Sequence, residues 1–404
     1  MSLPAAGARA VLPFPYKANV ARMGSAAPDW PRPTDDISEL EVDIKFRPRG
    51  LWQIPSVGNI AGRLATLRLK ITDYPGEWLL DLPLLQQDFI SWSRATVDRC
   101  RSGLRGQLAK EWLDFIAWHG HDEAADGDVA KRAHDLYRTF LGKAKHQHGL
   151  SYLQPGRFVC LGSLGELECL WFSPLDLPPG VEKTKPGSLA ALMESRYETY
   201  KKTVVEGFVR DHFRHFNRQI VVVDVLRALL AGPDAFEDAQ SALEDIIRVY
   251  KFGSGNRVAA LFGPRIDKVL FAATKADHVT GVQRDHLAEL LRSLIRIPEI
   301  QARSGSAYTE AMAIASVLST EDDTDIIGNH RVDVVVGRPV GKEKRVKFFP
   351  GPIPARRPRA DFWSQHFFDI PVFQPPPFDG LPVDGIPHIN LDAATEFLLG
   401  DRLG

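Results

Sequence analysis

KVLFAATKAD (Lys268–Asp277) is an unbroken apolar run that ends in a short polar loop. Six residues without alternation, rich in residues that pack on a pleated surface, predict a strand inside a parallel sheet. The loop Thr274-Lys275-Ala276-Asp277 fits the pattern [NT]KxD. A carboxylate placed as Asp277 is can accept two parallel hydrogen bonds from the N1–H and exocyclic amine of guanine, while the Lys275 stem lies along a purine ring. His278 extends the same candidate base-binding loop. Taken alone, the tetrapeptide reads first as a solvated Lys/Asp turn.

Working outward, RQIVVVDVL (Arg218–Leu226) is a second Val-rich run that predicts a strand buried on both faces. Helical spacing follows it from Ala235 to Phe252, and again after the first run from Gln283 to Ile297. AMAIASVL (Ala311–Leu318) predicts a third strand. Strand, helix, strand, helix gives an α/β class with a largely parallel sheet. Ser316 and Val317 close the third strand, where backbone N–H groups can sit beside a base carbonyl.

Upstream, ELEVDIKF (Glu39–Phe46) and ATLRLKI (Ala65–Ile71) alternate cleanly and predict an antiparallel pair. The second runs into Asp73-Tyr74-Pro75-Gly76-Glu77, a DxxG pattern in which a carboxylate can hold a water of Mg²⁺ and a glycine lets its N–H approach a phosphate oxygen. Pro75 and Gly76 are the candidate phosphate contacts. An isolated DxxG is also an ordinary turn. DxxG, TKxD and ASV in that order, each at a strand end, point together to one nucleotide crevice at the carboxyl edge of a sheet.

Helical spacing is expected from Pro83 to Ala117, Val129 to His148 and Ser188 to Phe216, with a strand-like patch from Arg157 to Trp171. The divisions expected are 1–82 for the first part of a nucleotide-binding core, 83–217 for a mainly helical insertion and 218–404 for the rest of the core. The first thirty residues read as irregular chain, residues from Ile327 onward as β segments, and Pro350–Pro387 as loops. The final helix is expected from Asn390, as N-cap, to Leu399, with Gly400 just past its end.

Among the 404 residues, 50 Lys plus Arg against 51 Asp plus Glu give no electrostatic argument for nucleic acid or for an anionic membrane. Three cysteines without a CxxC pair argue against a disulfide framework and a zinc knuckle and suit a reducing cytoplasm. The opening segment does not read as a signal peptide and the longest apolar run is too short to span a bilayer, so no membrane span is expected. The histidine pairs His119/His121, His146/His148 and His212/His215 match no closed zinc pattern.

The chain also resembles the YcjX-like P-loop GTPases of bacteria, through ITDYPGEWLLDLPLL (Ile71–Leu85), SWSR (Ser91–Arg94), QPGRFV (Gln154–Val159), NRQIVVVD (Asn217–Asp224), LFAATKADHVT (Leu270–Thr280) and PHINLDAATEFLLGD (Pro387–Asp401). The resemblance implies a Ras-like core with a helical insertion, GTP or GDP and Mg²⁺ as ligands, and a group associated with stress responses. It implies that Asp73 organises the metal, that Gly76 meets the terminal phosphate, and that Thr34 closes over Mg²⁺, although Thr34 is also well placed as a local turn cap. Glu77 stands where Ras-like proteins often carry a water-orienting glutamine, and its charge would be repelled by phosphate, so slow turnover is expected.

These residues contain no GxxxxGK[ST] loop; Gly341-Lys342 runs into Glu343. The expectation is a sheet missing its first strand and phosphate loop, weak nucleotide binding and poor solubility from unpaired strand edges, explained by a start codon set too far downstream. The competing expectations are a scaffold that binds an unidentified protein effector through the insertion, and an ATPase, which the Asp277 carboxylate disfavours.

Overall fold

The computed structural model describes residues 11–47, 64–164, 167–251, 266–295, 307–364, 370–377 and 385–403. Phe252, Arg296, Ile297 and parts of the stretch 350–387, for which helix ends and loops are predicted above, lie outside them.

The chain opens with β1 (Leu12–Pro13) and α1 (Tyr16–Met23), then β2 (Ser38–Phe46) and β3 (Ala65–Asp73). Contrary to the expectation of irregular chain, the opening segment forms a two-turn helix; it carries no sustained apolar face, which is why periodicity misses it. β2 and β3 pair antiparallel from Ser38 opposite Asp73 to Phe46 opposite Ala65, as their alternation predicts. β1 adds to β2 in parallel.

A 3₁₀ segment, Gly76–Gln86, leads into α2 (Phe89–Arg99), α3 (Gly103–Trp118), α4 (Gly127–His148), α5 (Leu189–Tyr200) and α6 (Glu206–Asp211), with a π-helical turn at Lys201–Val205 between the last two. The single helix expected from Pro83 is therefore broken: Asp88 caps α2 through the Ser91 N–H, and the chain restarts after Cys100. The strand-like patch Arg157–Trp171 is a series of short 3₁₀ turns instead, in a segment punctuated by glycine and proline.

Trp92, Trp112, Tyr137, Phe158, Phe172, Tyr197 and Tyr200 fill the centre of this helical part, with Trp92 and Tyr197 stacked at 4.9 Å. Trp78, Leu79, Leu80, Leu82 and Leu84 of the 3₁₀ segment are buried in the same cluster. Asp81 goes in with them. Its carboxylate accepts the N–H groups of Gly156 at 2.7 Å and Arg157 at 3.2 Å and the Tyr200 hydroxyl at 2.7 Å. Burial pushes this carboxyl up to about 6, against the lowering effect of those donors.

Two results are expected from this node. Asp81→Ala leaves three buried donors unmatched and lowers stability by roughly 3 kcal/mol, read as a denaturant midpoint shift. The native carboxyl binds its proton more tightly than the unfolded one, so the linked stability is full below the unfolded value of 3.8 and is lost as pH rises through about 6. The wild-type protein should therefore gain on Asp81→Asn between pH 6 and 4. A difference independent of pH would refute the assignment.

The remaining chain is α/β. β4 (Arg218–Val223) is followed by α7 (Val225–Leu230), α8 (Pro233–Lys251), β5 (Lys268–Ala273), α9 (Arg284–Ile295) and β6 (Tyr308–Ala313). β4, β5 and β6 form a parallel sheet in which Val223 pairs with Ala273 and Ala273 with Ala313. That register makes the three following loops leave the sheet side by side. β6 begins and ends earlier than expected, which puts Ala315–Val317 wholly in the loop.

Leu287, Leu290, Leu291 and Leu294 of α9 cover one face of this sheet together with Phe236 and Leu243 of α8. Beyond β6 come β7 (Thr320–Ile327), β8 (His330–Gly337) and β9 (Val346–Phe348), an antiparallel sheet, then α10 (Ala360–Trp363) and α11 (Leu391–Leu403). α11 runs through Gly400 rather than stopping before it. Asn390 has a positive φ of 57° and its amide donates to the Ala313 carbonyl, so its side chain ties the helix to β6.

α11 packs Ala394, Leu398 and Leu399 on Leu270 and Ala272, the second face of β5. It also meets Ile44 and Leu69 of the antiparallel pair. β4 lies outside this cover. Its Ile220 and Val222 are 44% and 65% exposed, which corrects the prediction of a strand buried on both faces.

β3 and β4 are not paired with one another. Between them lies a cavity of about 1190 Å³ lined by the consecutive residues Leu67–Tyr74 and Phe216–Asp224, with Leu398 and Leu399 of α11 and Ala239, Ala242 and Leu243 of α8 as further walls. Consecutive lining residues mean that two strand edges, with backbone groups unpaired, face the space.

Candidate functional site

The carboxyl ends of β3, β4, β5 and β6 carry the candidate residues. At the end of β3, the Thr34 hydroxyl donates to Asp73 Oδ2 at 2.7 Å, so the two oxygen donors expected around a cation stand together. Nearby, Cys160 Sγ donates to the Asp35 carbonyl at 3.5 Å, and the Trp78 indole N–H donates to the Cys160 carbonyl at 2.9 Å. Pro75 is buried and begins the 3₁₀ segment, whereas Gly76 is exposed and a Cβ added there would meet nothing within 4 Å. Its N–H therefore belongs to an open surface that a ligand can reach.

Glu77 pairs with Lys145 of α4, Nζ to Oε1 at 2.6 Å. The Glu77 backbone lies against Gly156, where a Cβ would fall far inside contact distance of the Glu77 carbonyl. Asp73, Gly76, Glu77, Lys145 and Asp224 all border the cavity between β3 and β4.

At the end of β5, the Thr274 N–H donates to the Val223 carbonyl at 3.0 Å, and Lys275 takes the left-handed conformation, φ 62° and ψ 35°. A lysine seldom adopts that conformation, and it is held by an ion pair from Nζ to Asp224 Oδ2 at 2.8 Å. Asp224 uses its other oxygen to cap α7 through the Arg227 N–H at 3.0 Å.

Asp277 is buried, and its Oδ2 accepts the Ser319 N–H at 2.9 Å and the Ser319 hydroxyl. His278 Nδ1 stands 3.2 Å from Oδ1, and its ring meets Phe373 edge to face at 5.1 Å. Burial raises the Asp277 carboxyl, but the His278 and Ser319 partners outweigh it and hold the group below the ordinary carboxylate range. The carboxylate thus stays charged. Ser316 is exposed and Val317 buried, and the loop that carries them is fixed by Ala315 and Leu318, whose N–H groups donate to Ile389 and Pro387.

The structure thus brings Thr34 to Asp73, and Asp277 to the Ser316–Ser319 loop. Asp224, Ser319 and Lys145 escaped the sequence reading. Asp224 could have been found, since it ends a Val-rich strand where a polar residue is out of pattern; Ser319 and Lys145 carry no local signal.

Among the described residues no group of three or more His, Cys, Asp or Glu side chains could hold a metal ion. Likewise among the described residues, no helix is long and apolar enough to cross a membrane.

Comparison with known proteins identifies the family. A model of the YcjX-like family, DUF463, matches residues 2–403. The Ras-like GTPase YcjX of Escherichia coli (strain K12) is 35% identical over 400 residues, which cover 96% of this chain and 83% of that protein. The Ras-like GTPase YcjX of Shewanella oneidensis (strain MR-1) is 34% identical over 398 residues, covering 96% and 81%.

Proposed function

This chain belongs to the YcjX-like family, and on that premise we propose that it binds guanine nucleotide and hydrolyses GTP as a molecular switch. The observation that carries the reading is Asp277, a buried carboxylate kept charged at the carboxyl edge of a parallel sheet, beside an exposed loop at Ser316. A charged acceptor there matches the two donors of guanine and none suitably placed on adenine. His278 positions that carboxylate, and Lys275, held by Asp224, lines the purine. Thr34 and Asp73 would hold Mg²⁺, which supplies charge neutralisation of the phosphates, and Gly76 and Pro75 shape the surface met by the terminal phosphate.

The cavity between β3 and β4 exceeds the roughly 300–1,000 Å³ of small-molecule pockets, and its walls are strand edges. We assign it to one further strand ending in a phosphate-binding loop, which would pair with β3 and β4 and cover Ile220 and Val222. The parts 1–82 and 218–404 then form one core, with 83–217 as the insertion through which a protein effector is engaged. A cytoplasmic, stress-related role fits the reduced cysteines and the family resemblance.

Titration of fluorescent GDP, with GTP and ATP as competitors, tests this in the 404-residue chain and in a form begun upstream in the same reading frame. Binding is expected only in the form that fills the cavity with a strand and phosphate loop, competed by GTP and not by ATP. Competition by ATP as strong as by GTP would defeat the base assignment. No binding by either form would leave the scaffold reading in its place.

A further inference from the structure

Lys145 is a charged residue bordering the cavity that the proposed function does not yet use. It sits in the last turn of α4, which ends at Gly149 in the left-handed conformation, φ 67°. Its carbonyl accepts the Gly149 N–H at 3.3 Å and the Arg227 guanidinium at 2.9 Å, so its backbone is fixed both by the helix end and by α7 of the core. Its ammonium and the Glu77 carboxylate are each about a quarter exposed, at 24% and 25%, and both border the cavity. The residue next to Glu77 is Gly76, whose open side is where a terminal phosphate would lie.

Building on the guanine-nucleotide reading, we propose that Lys145 is the helical insertion's own cation for the terminal phosphate, parked on Glu77 until the phosphate arrives. In hydrolysis, water adds to the terminal phosphorus and the bond to the bridging oxygen breaks. The electron pair stays on the diphosphate and the water proton passes to the released phosphate. Negative charge grows on the bridging and terminal oxygens, and an ammonium beside Gly76 stabilises it. Glu77, whose charge would otherwise oppose phosphate, holds that ammonium at the edge of the site when no ligand is present.

The test uses whichever form binds GDP in the titration above. Lys145→Ala should lower kcat for GTP about a hundredfold, the scale of one lost charge-stabilising donor, while GDP affinity changes less than about threefold. Lys145→Arg should recover much of the rate. An unchanged kcat, or a loss of GDP affinity that matches the loss of kcat, overturns the proposal.

A second readout is capture of GDP with aluminium fluoride. If Lys145 serves the phosphate, Lys145→Ala impairs capture in the Glu77→Gln protein as much as in the wild type. If Glu77→Gln cures the defect, the lysine only neutralises the carboxylate and the proposal falls. Absence of any GTP hydrolysis by the wild-type form would instead remove the proposed function, and this inference with it.

Discussion

The Asp277→Asn protein is expected to lose GDP affinity by at least about a hundredfold and to acquire affinity for xanthosine diphosphate. The reason is donor matching. Guanine offers N–H donors at N1 and the 2-amino group, and Asp277 presents acceptors only. Asparagine presents one acceptor and one donor, so a guanine amine meets an amide N–H, and a buried mismatch of this kind discriminates by several powers of ten. Xanthine carries a carbonyl in place of the amine and restores the match.

In the ligand-free protein Asp277 also accepts two hydrogen bonds from Ser319. The substitution therefore costs about 1 kcal/mol of stability as well. A melt followed by circular dichroism separates that small loss from the binding effect measured by competitive titration. Unchanged GDP affinity in a folded Asp277→Asn protein would remove Asp277 from the base site.

Gly156→Ala is expected to do more damage to the fold than the same change at Gly337 or Gly400, where an added Cβ meets side chains rather than backbone. A Cβ at this position collides with the carbonyl carbon and oxygen of Glu77, which are backbone atoms. No rotamer change can relieve a clash with backbone. The Gly156 N–H is at the same time committed to Asp81. Moving this residue away breaks that bond, and moving Glu77 away breaks its pair with Lys145.

Destabilisation by at least ~3 kcal/mol is expected, visible as a lowered denaturant midpoint or as failure to accumulate folded protein. Gly127→Ala, on a helix start where a Cβ meets nothing within 4 Å, is the matched control and should be neutral or slightly stabilising. Equal stability of the two variants would mean that the approach of Gly156 to Glu77 is not as close as described.

Much of this architecture is written in local pattern. β2 and β3 alternate because one face of each is open, and β5 is continuously apolar because α9 and α11 cover it from both sides. β4, like β5, is an apolar run without alternation, but it has a different neighbourhood. A run of valines cannot state whether anything lies against it, and here Val222 faces an open cavity edge. In GEWLLDLPLLQ (Gly76–Gln86) the run of leucines suggests the start of a helix, yet the segment is a 3₁₀ stretch within the aromatic cluster. The informative residue was Asp81, a carboxylate in an apolar run, whose partners Gly156, Arg157 and Tyr200 are remote in sequence.

The site divides the same way. DxxG and TKxD are recognisable because their residues are contiguous. The pairs that anchor each of them, Lys275 with Asp224 and Glu77 with Lys145, join separate elements and appear only when the chain is folded. Gly400 shows the converse: read as a helix stop, it lies inside α11, with the Glu396 carboxylate folded over it.

The burial of Trp78–Leu84 has a consequence for time. Surface loops rearrange in nanoseconds to microseconds, whereas packed blocks shift against one another in microseconds to milliseconds. The segment after Gly76 is not a surface loop; five of its apolar side chains are part of the core of the helical block. Its conformational exchange should therefore be slow and concerted, appearing in relaxation-dispersion measurements across the aromatic cluster at a single rate rather than as fast local disorder near Gly76. Anything that displaces Gly76 must therefore move the whole packed block with it.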